Sequence, residues 1–290
     1  MNIAILGIGL MGYPIGRRLC EAGGLEVHVW NRTMSKAERL QPFGATVHST
    51  PVLAVAQADV VITLLDHGAV VADTLFAQGA ATALRPGSLF IDMSSIKPIE
   101  AREHAARLSV LGVNYLDAPV SGGTVGAEQG ALAIMAGGSA DDFARALPVF
   151  QLLGRSTHVG PTGAGQLAKL ANQMIVGITI GAVAEALLLC ERGGADMAKV
   201  KEAITGGFAD SRVLQVHGQR MVERDFAPRA RMAVQLKDLR NALSTAQETG
   251  FDAPITRLFE QLNSESVEHG LADLDHAGLF VELANRNSMD

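Results

Sequence analysis

The chain has 290 residues, with Lys+Arg 24 against Asp+Glu 30 and a formal net charge of −6, so no basic field exists to hold a phosphate backbone and nucleic-acid binding is disfavoured. At 48% hydrophobic and 19% charged residues the composition is globular rather than disordered, and at roughly 100–200 residues per domain the length suits two domains. Aromatic residues are only 4% while glycines number 31, so small side chains do much of the packing. The N-terminus lacks the basic start, apolar run and small-residue cleavage site of a secretory signal, and Asn2–Leu6 reads as a first strand. Glu26–Trp30, 60–65 and Leu89–Asp92 are likewise short runs rich in Val, Ile and Leu, the pattern of parallel strands buried on both faces. Between them the spacing predicts helices over 14–22, 35–41, 70–77 and 99–108, a βαβ series that implies a parallel sheet covered by helices. Further strands are predicted at 114–119, Leu132–Gly137 and 157–160, with a helix over 141–153.

After Gly160 no strand is evident and helical periodicity continues almost to the end. The boundary is expected at 161–165, dividing residues 1–161 from 162–290. A long helix over 163–192 follows as the connector, then helices over Met197–Ile204, 211–222, 235–249 and 253–269, and a short one after Asp275. Within the connector, 175–189 is apolar apart from Glu185, shorter than the roughly 18–20 residues that cross a bilayer, so a buried core helix is expected. Gly177 and Gly181, at i and i+4, would let a neighbouring backbone approach closely, with simple helix packing as the alternative. Cys20 and Cys190 stand far apart without a second pair, which offers neither a disulfide framework nor a structural zinc and fits a reducing cytoplasm. The eight histidines are scattered without a ligand pair of H-x-x-x-H type, so no metal is expected.

Gly7-Ile8-Gly9-Leu10-Met11-Gly12 fits G-x-G-x-x-G, directly follows the first strand and opens a helix. Gly7 makes the tight turn, Gly9 removes a side chain where a pyrophosphate must come close, and Gly12 lets helix and strand pack; the N–H groups at the helix start then face the phosphates. At the end of the second strand, Trp30-Asn31-Arg32-Thr33 carries no carboxylate for a ribose 2′-hydroxyl. Arg32 suits a 2′-phosphate, with Asn31 and Thr33 as hydrogen-bond donors, so NADP(H) is expected in preference to NAD(H). A solvated loop residue is the plain alternative for Arg32.

Ligands of open α/β sheets gather at the carboxyl ends of the strands, where Leu64-Leu65-Asp66 and Asp92-Met93-Ser94-Ser95 stand. Ser94 and Ser95 are placed to bond the nicotinamide ribose or the substrate, although Ser95-Ile96-Lys97-Pro98 also reads as a helix start with Ser95 as its cap. Asp117-Ala118-Pro119-Val120-Ser121-Gly122-Gly123-Thr124 runs from a strand into a serine-glycine turn whose N–H groups can line a small pocket for a carboxylate. Lys169 and Asn172 lie at i and i+3 on the connector helix. Lys169 either snorkels to water or is held as a proton donor. For Lys237, in Gln235-Leu236-Lys237-Asp238-Leu239, pairing with a carboxylate at the surface competes with reaching the cofactor.

These motifs together resemble the β-hydroxyacid dehydrogenase family, whose members include 3-hydroxyisobutyrate dehydrogenase, tartronate semialdehyde reductase and glyoxylate/succinic semialdehyde reductases. The resemblance covers essentially the whole chain and is carried by the glycine turn at 7–12, Ile91 to Ile96, Asp117 to Gly123, Gly165 to Gln173 and Lys237-Asp238-Leu239. Ser94-Ser95-Ile96, Ala171-Asn172-Gln173, Ile204-Thr205-Gly206-Gly207, Asp225-Phe226-Ala227-Pro228 and 272–279 are most similar to the tartronate semialdehyde branch. Two stretches depart from the family pattern: Leu64-Leu65-Asp66 stands where methionine-leucine-proline is more usual, and Phe226 to Met232 is altered beside the family's substrate cleft.

The resemblance implies a Rossmann domain joined by a long helix to an all-α domain, as in 6-phosphogluconate dehydrogenase, with self-association as dimers or tetramers through the α domain. It implies reversible hydride transfer between nicotinamide and a short semialdehyde acid, tartronate semialdehyde to glycerate first among the choices. In that reading Lys169 is the catalytic acid/base, Ser121, Gly122 and Gly123 hold the substrate carboxylate, and Asn172 orients the substrate. The cofactor set is Gly7, Gly9, Leu10, Met11, Gly12, Asn31, Arg32, Thr33, Leu64, Leu65, Ser95 and Lys237. A nucleotide-binding sensor without turnover is the rival of another class, and it would have no need of Lys169 with Asn172. An imine reductase relative would replace the lysine.

Overall fold

In the computed structural model, which describes residues 1–289, the apolar runs of the N-terminal half form β1 (Asn2–Leu6), β2 (Glu26–Trp30), β3 (Thr46–Val47), β4 (Val60–Thr63), β5 (Leu89–Asp92) and β6 (Asn114–Asp117). All six are parallel, in the order β3-β2-β1-β4-β5-β6. The short β7 (Val120–Ser121) continues β6 along β8 (Leu132–Gly137), antiparallel and in one register (Asp117↔Gly137, Val120↔Ile134), and β9 (Gly154–Gly160) pairs with β8 in parallel. Around the sheet run α1 (Gly12–Glu21), α2 (Met34–Glu38), α3 (Pro51–Val55), α4 (Gly68–Ala72), α5 (Ala80–Ala83), α6 (Pro98–Ser109), α7 (Gly123–Gln129) and α8 (Ala140–Leu153). Alternate residues of β1 feed two cores: Ile3 and Ile5 join Ile15, Leu19 and Val27, whereas Ala4 and Leu6 join Val61, Val71 and Phe90. Burial on both faces is why these strands are continuous apolar runs.

The departures from the sequence reading are local. β4 ends at Thr63 rather than 65, because the Leu65 amide donates to Ser94 Oγ (3.0 Å) instead of continuing the ladder. β6 ends at Asp117 rather than 119, where Pro119 has no N–H to offer. The helix expected over 70–77 is α4 followed by a π-type turn, Asp73–Ala77. The sequence reading has no counterpart for β3, α3, α5 or α7, elements of two to seven residues that are too short to show a period.

Contacts divide the chain into two compact units, Met1–Lys169 and a second beginning at Leu170, so the division lies within α9 (Ala164–Arg192). The second unit continues with α10 (Met197–Ile204), α11 (Gln219–Glu223), α12 (Met232–Thr249), α13 (Pro254–Ser266) and α14 (Leu279–Arg286). The helix expected over 211–222 is a π-type turn, Leu214–Gly218, running into α11. The one expected over 253–269 gives way at Gly270, whose φ is 85°. The core of this unit is built from Ile180, Val183, Leu187 and Leu188 of α9 with Leu214, Met221, Met232 and Phe280.

Of the two readings for Gly177 and Gly181, simple helix packing holds: a β-carbon would lie 2.4 Å from Gln235 Nε2 at the first and 1.8 Å from the Phe259 ring at the second. The expectation of a buried helix changes, because α9 is not wholly buried. It is long and apolar enough to cross a membrane, with a mean hydropathy of 1.9, yet only 44% of that window is buried, and Ile175 and Leu189 are exposed. The core of a helical unit of this size covers one side of α9 and leaves the other outward.

Candidate active site

The glycine turn lies where the strand order reverses on either side of β1, the crevice in which open α/β sheets take their ligands. Gly7 has φ +104°, and a β-carbon there would stand 2.4 Å from the Leu64 carbonyl oxygen. A β-carbon on Gly12 would lie 1.9 Å from the Gly7 carbonyl oxygen, so the third glycine is required by the turn itself. Gly9 differs: nothing lies within 4 Å of its β-carbon position, which leaves that side of the turn open. No side chain caps α1 at Met11, so the helix N-terminus keeps its affinity for an anion. Leu10 is exposed and Met11 half-buried at the rim.

Beside the turn, Asn31 is committed to the loop. Its Oδ1 accepts from the Ile8 amide (2.9 Å) and its Nδ2 donates to the Thr33 carbonyl (2.9 Å), so it braces the glycine turn against the end of β2. Arg32 and Thr33 are exposed. On the other flank, buried Ser94 is likewise spoken for: its amide donates to Asp92 Oδ1 (2.9 Å) and its hydroxyl accepts from Leu65. Of the pair, Ser94 is thus tied inside the loop, and Ser95 beside it is half-buried. The capping alternative for Ser95 is removed, since α6 begins at Pro98 with the Lys97 amide donating to Glu100 Oε2 (2.8 Å).

Ser121 closes β7, Gly122 has φ +135° and Gly123 opens α7. Both glycines are exposed, and the β-carbon position of Gly123 has no neighbour within 4 Å. Just upstream, buried Asp117 accepts from the Gly163 amide (2.7 Å) and the Gln166 amide (2.8 Å) at the start of α9. Burial, with Asp92 nearby, pushes its carboxyl up to about 7 despite these bonds. Burial also raises Asp92, against hydrogen bonds from Ser94, Thr63 and Tyr115. Gln166, fully buried, donates to the Ser94 carbonyl (2.8 Å) and accepts from the Ile96 amide (3.1 Å). Lys169 follows on the same helix, half-buried.

In the second unit, Asn172 Nδ2 donates to Gln173 Oε1 (2.9 Å), and Gln173 Nε2 donates to Asp238 Oδ2 (2.6 Å). Lys237 Nζ stands 3.2 Å from Asp238 Oδ1. Lys237 therefore does pair with a carboxylate, but a buried one that also governs Asn172 through Gln173. Gln235 Nε2 donates to the Gln173 carbonyl (3.1 Å). Asp117, Gln166, Gln173 and Asp238 have no site role in the sequence pattern; each lies inside one of the motifs, but nothing in spacing shows that a side chain bonds inward. Among the described residues, no group of three or more His, Cys, Asp or Glu is placed to hold a metal ion.

Comparison with known proteins accounts for both units. A family model for the NAD binding domain of 6-phosphogluconate dehydrogenase matches residues 2–161, and a model for the NAD-binding of NADP-dependent 3-hydroxyisobutyrate dehydrogenase matches residues 163–282. The chain is 40% identical over 285 residues to 2-hydroxy-3-oxopropionate reductase of Escherichia coli (strain K12), covering 98% of this chain and 97% of that protein. It is 36% identical over 296 residues to a probable 3-hydroxyisobutyrate dehydrogenase of Mycobacterium bovis, covering 98% of each. The solved structure of Mycobacterium tuberculosis 3-hydroxyisobutyrate dehydrogenase with L-serine superposes with a TM-score of 0.89 at 34% identity, over 97% of this chain and 98% of that one.

Proposed function

The chain belongs to the β-hydroxyacid dehydrogenase family related to 3-hydroxyisobutyrate dehydrogenase and is an NAD(P)-dependent oxidoreductase, and on that premise we propose that it reduces tartronate semialdehyde (2-hydroxy-3-oxopropionate) to glycerate with NADPH. The similarity to the Escherichia coli reductase over 98% of the chain is the observation that carries this choice of substrate. Residues 1–161 serve as the cofactor domain and 162–290 as the substrate and self-association domain.

The chain's own groups fit a dinucleotide. The uncapped α1 and the open side of Gly9 suit a pyrophosphate, Asn31 braces that turn, and Arg32 with Thr33 supplies donors for a 2′-phosphate in a loop without a carboxylate. Leu64, Leu65, Ser95 and Lys237 complete the cofactor contacts. When bound, the nicotinamide supplies the hydride. The N–H groups and hydroxyl of Ser121, Gly122 and Gly123 hold the substrate carboxylate, and Asn172 orients the aldehyde. Lys169 Nζ gives a proton to the aldehyde oxygen as its carbon is reduced, so catalysis rests on positioning and on a cation beside a developing alkoxide.

Initial rates with tartronate, methylmalonate and succinate semialdehydes and glyoxylate, each with NADPH and NADH, test the reading. Tartronate semialdehyde with NADPH is expected to give the highest kcat/KM. A higher value for methylmalonate semialdehyde points to 3-hydroxyisobutyrate dehydrogenase, and one for glyoxylate or succinate semialdehyde to those reductases. A preference for NADH in the parent refutes the role of Arg32. Self-association in the cytoplasm as a dimer or tetramer belongs to the same reading, supported by the exposed Ile175 and Leu189 of α9. Light scattering at the mass of a monomer contradicts that part.

A further inference from the structure

We infer that Asp117 and Gln166 are positioning residues that set the place of Lys169, an inference that rests on the proton-donor role proposed above for that lysine. A helix presents N–H groups at its first turn that need acceptors. Gly163, which precedes α9, has no side chain to meet them. The acceptor comes instead from the end of β6: Asp117 Oδ1 takes the Gly163 amide at 2.7 Å and Oδ2 takes the Gln166 amide at 2.8 Å.

The slot for this carboxylate is built of glycine. A β-carbon on Gly137 would lie 2.7 Å from Asp117 Oδ1, and one on Gly165 would lie 2.9 Å from Oδ2 and 2.4 Å from the Asp117 carbonyl oxygen. A serine or aspartate at 163 would cap the helix locally, without burying a charge among strands. The remote carboxylate does something a local cap does not, which is to fix the start of α9 against β6.

Gln166 makes the second tie. Its carboxamide spans the Ser94 carbonyl (2.8 Å) and the Ile96 amide (3.1 Å), one residue to either side of Ser95. Both groups would otherwise be buried polar atoms of a loop, so the pairing holds the loop in one conformation. Asp117 precedes Ser121 by four residues, and Lys169 follows Gln166 by three, about one helical turn. Two side chains thus join the Ser95 loop, the strand leading to the carboxylate turn and the turn of α9 that leads to the lysine. Sub-ångström placement of such groups governs rate more than binding.

The test uses the full chain with Asp117→Asn, which keeps the shape but sets an N–H against an N–H, and Gln166→Met, which keeps the volume and removes both bonds. In Asp117→Asn, amide hydrogen exchange at Gly163 and Gln166 is expected to quicken at least tenfold. In both variants kcat for the semialdehyde is expected to fall roughly ten- to a hundredfold, with KM for NADPH moved less than about threefold. The deuterium isotope effect on kcat from labelled NADPH should rise, because a misplaced proton donor makes chemistry the slow step. Unchanged exchange at the two amides refutes the frame. A lowered melting temperature with parental kcat and isotope effect reduces both residues to structural ones and overturns the inference. Should Asp117→Asn fail to fold, Gln166→Met decides the kinetic question. A parent that turns over no semialdehyde contradicts the proposed function, while exchange at Gly163 and Gln166 still decides whether the frame exists.

Discussion

The two units hold their candidate side chains by different means. In Met1–Lys169 the anchors end on backbone: Asn31 on Ile8 and Thr33, Gln166 on Ser94 and Ile96, Asp117 on Gly163 and Gln166. In the unit from Leu170 the ties run mainly between side chains, Asn172 to Gln173 to Asp238 with Lys237 on the same carboxylate, and Gln235 alone of this set ends on backbone, at the Gln173 carbonyl. Strand ends release the chain into loops whose N–H and C=O groups need partners, whereas helices satisfy their own backbone and leave only side chains to be tied. Damage to the first kind of anchor should shift a whole loop; damage to the second should turn one group.

The largest effect expected is at the junction of the two schemes. Lys169→Ala should lower kcat at least a thousandfold, near the upper range for a lost proton donor, with the NADPH dissociation constant from fluorescence titration within about threefold of the parent. Parental turnover would remove the lysine from the mechanism. Next comes Asp117. In the fold its carboxyl lies at about 7, against 3.8 as its ordinary value, so between those values the folded chain binds a proton that the unfolded chain lacks. Its contribution to stability is therefore greatest below about pH 4 and falls as pH rises to about 7. Relative to Asp117→Asn, the parent should lose up to about 4 kcal/mol of unfolding free energy across that window, measured by urea titration. A flat difference would contradict the buried placement of the carboxylate.

Glycines give a smaller contrast. Gly181→Ala forces a β-carbon to 1.8 Å from the Phe259 ring and should cost about 1–3 kcal/mol in denaturant unfolding, while Gly9→Ala meets nothing within 4 Å and should leave stability alone while weakening NADPH binding. An unstable Gly9→Ala protein with parental NADPH affinity would reverse that assignment. The smallest effect belongs to the side-chain chain. Gln173→Met severs Asn172 from Asp238 and should raise the substrate KM about tenfold, roughly 1.4 kcal/mol, with kcat changed less. A fall in kcat with KM unchanged would mean that Asn172 acts in the transition state alone.

The same difference explains what the sequence shows. β1, β2, β5 and β8 are legible to the residue: β1 and β5 are buried almost throughout and read as apolar runs, β8 is apolar along its length, and β2 shows the alternation of Val27, Val29 and Trp30 with exposed Glu26 and half-buried His28. The glycine turn is legible because backbone contacts leave no room for a side chain at Gly7 and Gly12. The start of α12 at Met232 rather than 235 is not, since helix ends depend on tertiary contacts such as the Met232 amide donating to the Leu274 carbonyl, whereas the helix expected to end at 269 does break at Gly270. Asp117 and Asp238 carry no role in the sequence pattern beyond membership of their motifs. Only the fold shows that both turn inward, one onto amides and one onto Gln173 and Lys237.

Hydride transfer to a semialdehyde is best followed by the label rather than the rate. With NADPH carrying deuterium at the transferred position and tartronate semialdehyde as substrate, the glycerate formed should contain one carbon-bound deuterium at C3 by mass spectrometry and NMR. Glycerate without carbon-bound deuterium, or binding of NADPH with no product at all, would rule out that transfer.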